Sequence, residues 1–121
     1  MVDLKIIVAT DGKNLELARR VRDIAMSRMC DSEIIDLSTY ELPLYTRKTS
    51  NEDAKGLNSL IQALEGSSPW FVLLPEYNGG LPPVWINALT WLSVQYDDFR
   101  KMFNRTRVAI GTASGGHGWK A

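Results

Sequence analysis

The sequence predicts an α/β domain, a parallel sheet of at least four strands with helices on both faces. Three observations predict it. Short apolar, β-branched runs alternate with segments of helical periodicity along the chain. One run, Trp70-Phe71-Val72-Leu73-Leu74, is apolar at every position, as a parallel strand covered on both faces must be. Three of the runs lead into loops that contain glycine, where such sheets bind ligands.

The elements follow in order. Leu4-Lys5-Ile6-Ile7-Val8-Ala9 reads as a buried strand. Thr10-Asp11-Gly12-Lys13 is a turn, and a helix begins at Asn14, whose side chain suits an N-cap. Leu17, Ala18, Val21, Ile24 and Ala25 share one face of that helix. Ser32 to Leu37 is a second strand, and Ser38 to Ser50, with Pro43, is a loop. Asn51 to Glu65 reads as one helix with Leu57, Leu60, Ile61 and Leu64 as its buried stripe. Trp70 to Leu74 is the third strand. A loop from Pro75 to Pro82 precedes a helix that starts at Pro83, where proline loses no helical hydrogen bond. That helix carries Trp85, Ala88, Leu89, Leu92 and Tyr96. Arg107 to Gly111 is the fourth strand, followed by a loop from Thr112 to Gly118. Right-handed crossovers restrict such a chain to a few windings.

Whole-chain properties narrow the function. The 121 residues suit a single domain with one core. Fourteen basic residues balance 14 acidic ones, so no global field draws the chain to nucleic acid or to an anionic membrane. No run approaches the roughly 18 apolar residues of a membrane span. Met1-Val2-Asp3 leads straight into the first strand, and no signal peptide is expected. The single cysteine, Cys30, admits no internal disulfide, which fits a reducing, cytoplasmic setting. Cys30 itself reads as a small apolar residue.

Loops at the carboxyl ends of the strands are the candidate site: Thr10 to Asn14, Pro75 to Gly80 and Thr112 to Gly118. Glycine in each lets the backbone approach a flat ligand closely. The first also precedes a helix amino end, where free N–H groups and the helix dipole favour a phosphate. The pocket suits a phosphorylated, planar ligand.

Motifs then carry a family resemblance. Pro75-Glu76-Tyr77-Asn78-Gly79, followed by Leu81-Pro82 and Asn87-Ala88-Leu89-Thr90-Trp91-Leu92, resembles the P-E-Y-N-G-x-x-P and K-N-A-x-D-W-L segments of the NADPH-dependent FMN reductases of flavodoxin-like fold. Thr112-Ala113-Ser114-Gly115-Gly116 resembles their T-x-S-G-G loop, and Tyr40 to Tyr45 their region after the second strand. The resemblance spans nearly the whole chain. It implies a flavodoxin-like three-layer sandwich that binds FMN, takes NADPH or NADH as co-substrate, and passes electrons to a quinone, azo compound, metal ion or free flavin. Hydride would pass from the nicotinamide to flavin N5.

By the same resemblance, Thr10, Gly12, Lys13 and Asn14 would hold the phosphate. Pro75, Glu76, Tyr77, Asn78 and Gly79 would run along the ring and ribityl chain. Ser114, Gly115 and Gly116 would contact the ring from the other side. The chemistry belongs to the flavin, so no catalytic side chain is assigned. Glu76 reads as a loop-shaping residue, His117 as an exposed loop residue, and Trp85, Trp91 and Tyr96 as core or interface. The resemblance also implies a homodimer or homotetramer. The first loop, Ala9-Thr10-Asp11-Gly12-Lys13-Asn14, departs from the family's G-S-x-R-x-x-S by being shorter and lacking the arginine, and its length is nearer the T-x-T-G-x-T loop of flavodoxins. Family members usually continue past this point with a fifth strand and two helices. Without them the first helix would lack a neighbour and the fourth strand would be an edge, covered by an oligomer or by further chain. Two other outcomes fit the same residues: a flavodoxin-type FMN electron shuttle, and a cofactor-free relative acting as an interaction domain.

Overall fold

The computed structural model describes residues 2–98 and 100–113. Four parallel strands form one sheet in the order β2-β1-β3-β4: β1 is Leu4–Val8, β2 Ser32–Asp36, β3 Trp70–Leu73 and β4 Val108–Gly111. Three helices connect them: α1 Lys13–Ser27, α2 Leu57–Leu64 and α3 Pro83–Ser93. This is the alternation and parallel winding that the sequence predicts, with the strand order of a flavodoxin-like sheet.

Pleating divides each strand between two cores. Ile6 and Val8 of β1 and Leu73 of β3 face α1, where Ala18 is fully buried and Leu15, Leu17 and Val21 pack around it. Ile7, Ile35, Trp70 and Val72 face the other way, onto Leu57, Leu60 and Leu64 of α2 and Ala88, Trp91 and Leu92 of α3. The first crossover runs to one side of β1 and the later ones to the other. Right-handed crossovers then place α1 on one face and α2 with α3 on the opposite face.

Three expectations need correction. Asn51 to Glu65 is not one helix: a 3-10 turn at Asn51–Asp53 is separated from α2 by Ala54, Lys55 and Gly56. The break comes from a distant segment. The Gly56 N–H donates to the Glu41 carbonyl at 2.9 Å, and a Cβ at Gly56 would fall on the Glu41 backbone nitrogen and within 3.0 Å of the Tyr40 carbonyl carbon. Asp53 holds the 3-10 turn by accepting from the Ser50 N–H at 2.8 Å. Next, Ile24 is exposed rather than part of the buried stripe of α1, because α1 alone among the described helices packs on that face. Finally, α1 starts one residue before Asn14, which is therefore not its cap. Pro83 does occupy the first turn of α3 as predicted. Strand β4 pairs only with β3 among the described residues, and Val108 and Ile110 are exposed there.

Candidate functional site

The chain changes winding direction at β1, so the crevice of the sheet opens beyond the carboxyl ends of β1 and β3. Ladder bonds extend to those ends. The Ala9 N–H donates to the Leu73 carbonyl (3.2 Å), and the Leu74 N–H to the Gly111 carbonyl (3.0 Å). Loops starting at Thr10, Pro75 and Thr112 therefore leave the sheet side by side.

In the first loop Gly12 precedes α1, and its carbonyl accepts from the N–H groups of Leu15 (3.0 Å) and Glu16 (3.4 Å). The N–H groups of Lys13 and Asn14 belong to the first turn, which has no intrahelical acceptor for them. The helix dipole adds positive potential at the same point. A Cβ at Gly12 would meet no atom within 4 Å, so the space beside this peptide is open. Thr10 is half-buried, and Lys13 is exposed, as is Asp11.

Asn14 is placed differently from a phosphate-facing side chain. It is 2% exposed, and its carboxamide meets the Ala113 peptide groups: Oδ1 accepts from the Ala113 N–H at 2.9 Å, and Nδ2 donates to the Ala113 carbonyl at 3.4 Å. Its backbone N–H stays among the donors of the helix end.

The second loop begins with Pro75 and Glu76, both half-buried, and closes as a hairpin. Tyr77 N–H donates to the Gly80 carbonyl (3.2 Å) and Gly80 N–H to the Tyr77 carbonyl (2.9 Å). Asn78 and Gly79 between them have φ of 53° and 79°. Left-handed backbone at both central positions is the signature of a type I′ turn, which selects Asn-Gly. The tip is exposed, and nothing lies within 4 Å of a Cβ at Gly79. The turn thus presents backbone and an open edge rather than a packed wall.

Of the third loop, Thr112 and Ala113 are described; Ser114, Gly115 and Gly116, with His117, lie outside the described residues. The Thr112 hydroxyl is buried with no hydrogen-bond partner among the described residues.

Trp91 is buried in the core, within its reading as core or interface, and with Asn87 it also takes a positioning role that the sequence reading did not assign. Asn87 Nδ2 donates to the Pro43 carbonyl (2.9 Å) while its Oδ1 accepts from the Tyr45 N–H (2.8 Å). Trp91 Nε1 donates to the same Pro43 carbonyl (2.8 Å), and its ring meets Tyr45 edge-on at 5.1 Å. The α3 helix thereby holds the loop that follows β2. The signal available in the sequence was the four-residue spacing, which stacks Asn87 and Trp91 on one helical face.

Ionisable groups with shifted behaviour serve packing here. Burial lowers the Lys5 pKa, partly opposed by Glu33 and Glu65, and its ammonium donates to the Glu65 carbonyl at the end of α2. Burial, with Glu33 and Asp36 nearby, raises the Tyr40 pKa. Tyr40 packs against the α2–α3 core. An apolar groove of about 400 Å³ runs between α3 and β4, lined by Trp70, Trp85, Leu89, Phe103 and Val108 among others. Among the described residues its lining has no basic side chain and no glycine, so it does not suit a phosphate. Among the described residues no group of three or more His, Cys, Asp or Glu side chains could hold a metal ion, and no helix is long and apolar enough to cross a membrane.

The arrangement therefore combines an anion-favouring helix end with an open crevice edged by backbone. Comparison with known proteins bears on this geometry. A flavoenzyme NAD(P)H:(acceptor) oxidoreductase from Paracoccus denitrificans, FerB, has a similar structure, with a TM-score of 0.77 and 22% sequence identity. The match covers 97% of this chain and 63% of that one, so the chain spans under two thirds of its neighbour's length. At this identity the likeness establishes the shared fold. No curated protein matches the sequence. The model of the NADPH-dependent FMN reductase family matches residues 6–121, and the chain belongs to that family.

Proposed function

We propose that residues 1–121 act as an FMN-binding domain of an NAD(P)H-dependent oxidoreductase. One observation carries the reading: the glycine-containing loops after β1 and β3 stand side by side at the crevice of the sheet, with the amino end of α1 beneath one of them. The residues fit the group. Open space beside Gly12 and Gly79 admits a phosphate and a flat ring edge, and first-turn N–H groups are free to donate.

In this reading Thr10, Gly12, Lys13 and the Asn14 backbone hold the phosphate, and Lys13 supplies the cation that the missing arginine would have supplied. Pro75, Glu76, Tyr77, Asn78 and Gly79 line the ring through backbone groups, with Ser114, Gly115 and Gly116 opposite. Bound FMN supplies hydride acceptance from NADPH or NADH and electron delivery to an acceptor, for which a quinone, azo compound, metal ion or free flavin is suited. The protein's part is to orient the ring, exclude water and place backbone donors where negative charge accumulates. We place the protein in the cytoplasm, consistent with its lone Cys30, and expect a homodimer or homotetramer; the exposed apolar residues Val84, Ile86, Val108 and Ile110 around α3 and β4 support an oligomer.

Titration with FMN tests the reading, followed by flavin fluorescence and thermal shift. Saturable binding with a raised melting temperature is expected. Lys13→Ala should weaken FMN more than riboflavin, which lacks the phosphate. A flat titration with no thermal shift would refute the reading for this chain. Binding without NADPH oxidation would favour the electron-shuttle alternative.

A further inference from the structure

We infer that Met26 and Met29, at the carboxyl end of α1, form a surface oxidation site where the protein takes up oxygen from a peroxide without loss of fold. The inference is independent of the flavin reading, whose first loop adjoins the amino end of the same helix.

Exposure separates the methionines. Of the three among the described residues, Met29 is 94% exposed and Met26 67%, whereas Met102 is 9% exposed and packs in the core shared by α2 and α3. The backbone makes the choice of residue at position 29 informative. The Met29 N–H donates to the Met26 carbonyl at 3.0 Å and the Cys30 N–H to the Ala25 carbonyl at 2.8 Å, just past the Arg28 cap. A helix closed by this pair of bonds places one residue in the left-handed region, and Met29 there has φ of 59°. Glycine suits such a position because a Cβ crowds the neighbouring carbonyl. Methionine is strained there, and at its exposure packing returns little. What the side chain adds is a thioether in open solvent, three residues from a second one.

The chemistry is a two-electron oxygen transfer. A sulfur lone pair attacks one oxygen of hydrogen peroxide, and the S–O bond forms as the O–O bond breaks. Sulfur is oxidised to the sulfoxide, and the departing hydroxide takes up a proton and leaves as water. The new oxygen is polar. At Met102 it would be set against apolar neighbours, whereas at Met26 and Met29 it meets water. The two surface residues thus accept an oxidation that the core does not tolerate, and a methionine sulfoxide reductase restores them.

Peptide-resolved mass spectrometry during exposure of the unaltered protein to hydrogen peroxide tests this. Met26 and Met29 should oxidise in the folded protein at nearly their rates in urea. Met102 should react more than about tenfold more slowly, since it waits for local opening. Because peroxide also reaches thiols, melting is compared in Cys30→Ser, where oxidation of both surface methionines should leave the midpoint within about 1 °C. Met29→Gly should melt higher than the unaltered protein and lose one of the two fast oxygen additions. Protection of Met29 in the folded protein would overturn the inference in favour of a covered surface. Oxidation of Met102 at the same rate would overturn it, because burial would then decide nothing. A midpoint several degrees lower after oxidation of Met26 and Met29 alone would overturn it in favour of a site of damage. A lower midpoint for Met29→Gly would overturn it in favour of a structural role for that side chain.

Discussion

Trp91 donates its indole N–H to the Pro43 carbonyl at 2.8 Å, tying the third helix to a loop almost half the chain away. The same oxygen accepts from Asn87, which also satisfies the Tyr45 N–H. Trp91→Phe removes one donor and part of a fully buried ring; it should cost about 2–3 kcal/mol. Asn87→Ala leaves the Tyr45 N–H without its acceptor and should cost about 2 kcal/mol. Because both bonds end on one oxygen, a double-mutant cycle followed by urea denaturation should return a coupling of at least about 0.5 kcal/mol. Strict additivity would show that the two act independently.

Two glycine replacements should fail for different reasons. At Gly56 the backbone is ordinary, with φ of −85°, but an added methyl meets the main chain of Tyr40 and Glu41. Gly56→Ala should therefore cost about 3 kcal/mol, as overpacking against rigid backbone does. At Gly79 the surroundings are open and φ is 79°. Gly79→Ala should cost about 1 kcal/mol, the left-handed penalty alone. Equal destabilisation of the two variants would contradict this assignment.

Thr112→Val removes a buried hydroxyl that has no partner among the described residues. Relief of that desolvation should leave the flavin-free protein as stable as before, or more stable by about 1 kcal/mol. A melting temperature lowered by several degrees would reveal a bond made by this hydroxyl.

Lys5 gives the alkaline side of the stability curve a predictable sign. Its pKa is lowered in the folded protein, chiefly by burial. Between that lowered value and the ordinary lysine value the unfolded chain binds more protons, so this residue's contribution to stability rises with pH there. The stability of the protein minus that of Lys5→Met should thus increase as pH is raised toward the ordinary lysine value. Tyr40, whose pKa is raised, works in the opposite sense and cancels in this difference. A difference that falls with pH would show that Lys5 gains more from Glu33 and Glu65 than it loses to burial.

How much of this was readable in advance follows from the range of the interactions. The strands were legible because runs such as Ile6-Ile7-Val8 and Trp70-Phe71-Val72-Leu73 carry their burial in their own composition. The start of α3 was legible because Pro83 fixes its own φ. The location of the crevice followed from winding rules, which need only element order. What remained hidden depends on partners far along the chain. Gly56 breaks a helix-like stretch because Glu41 presses on it, and no local pattern announces that. Asn14 resembles a cap by type and position, but its amide is taken by Ala113. Asn78-Gly79 could be read as a ligand contact, and the left-handed turn explains the residue choice by itself.

The central place of β1 has a consequence for how the chain acquires its structure. On one side β1 pairs with β2, which follows it closely, so β1, α1 and β2 can assemble as soon as they emerge during synthesis. On its other side Lys5 must wait for Trp70 and Val8 for Leu73, with β2 and α2 still to be made in between. Until then the most apolar strand of the early segment keeps an open flank. Closing so long a loop costs more chain entropy than pairing β1 with β2. The arrival of β3, rather than completion of the first βαβ unit, is therefore the step at which β1 gains its second neighbour and the sheet its central pairing.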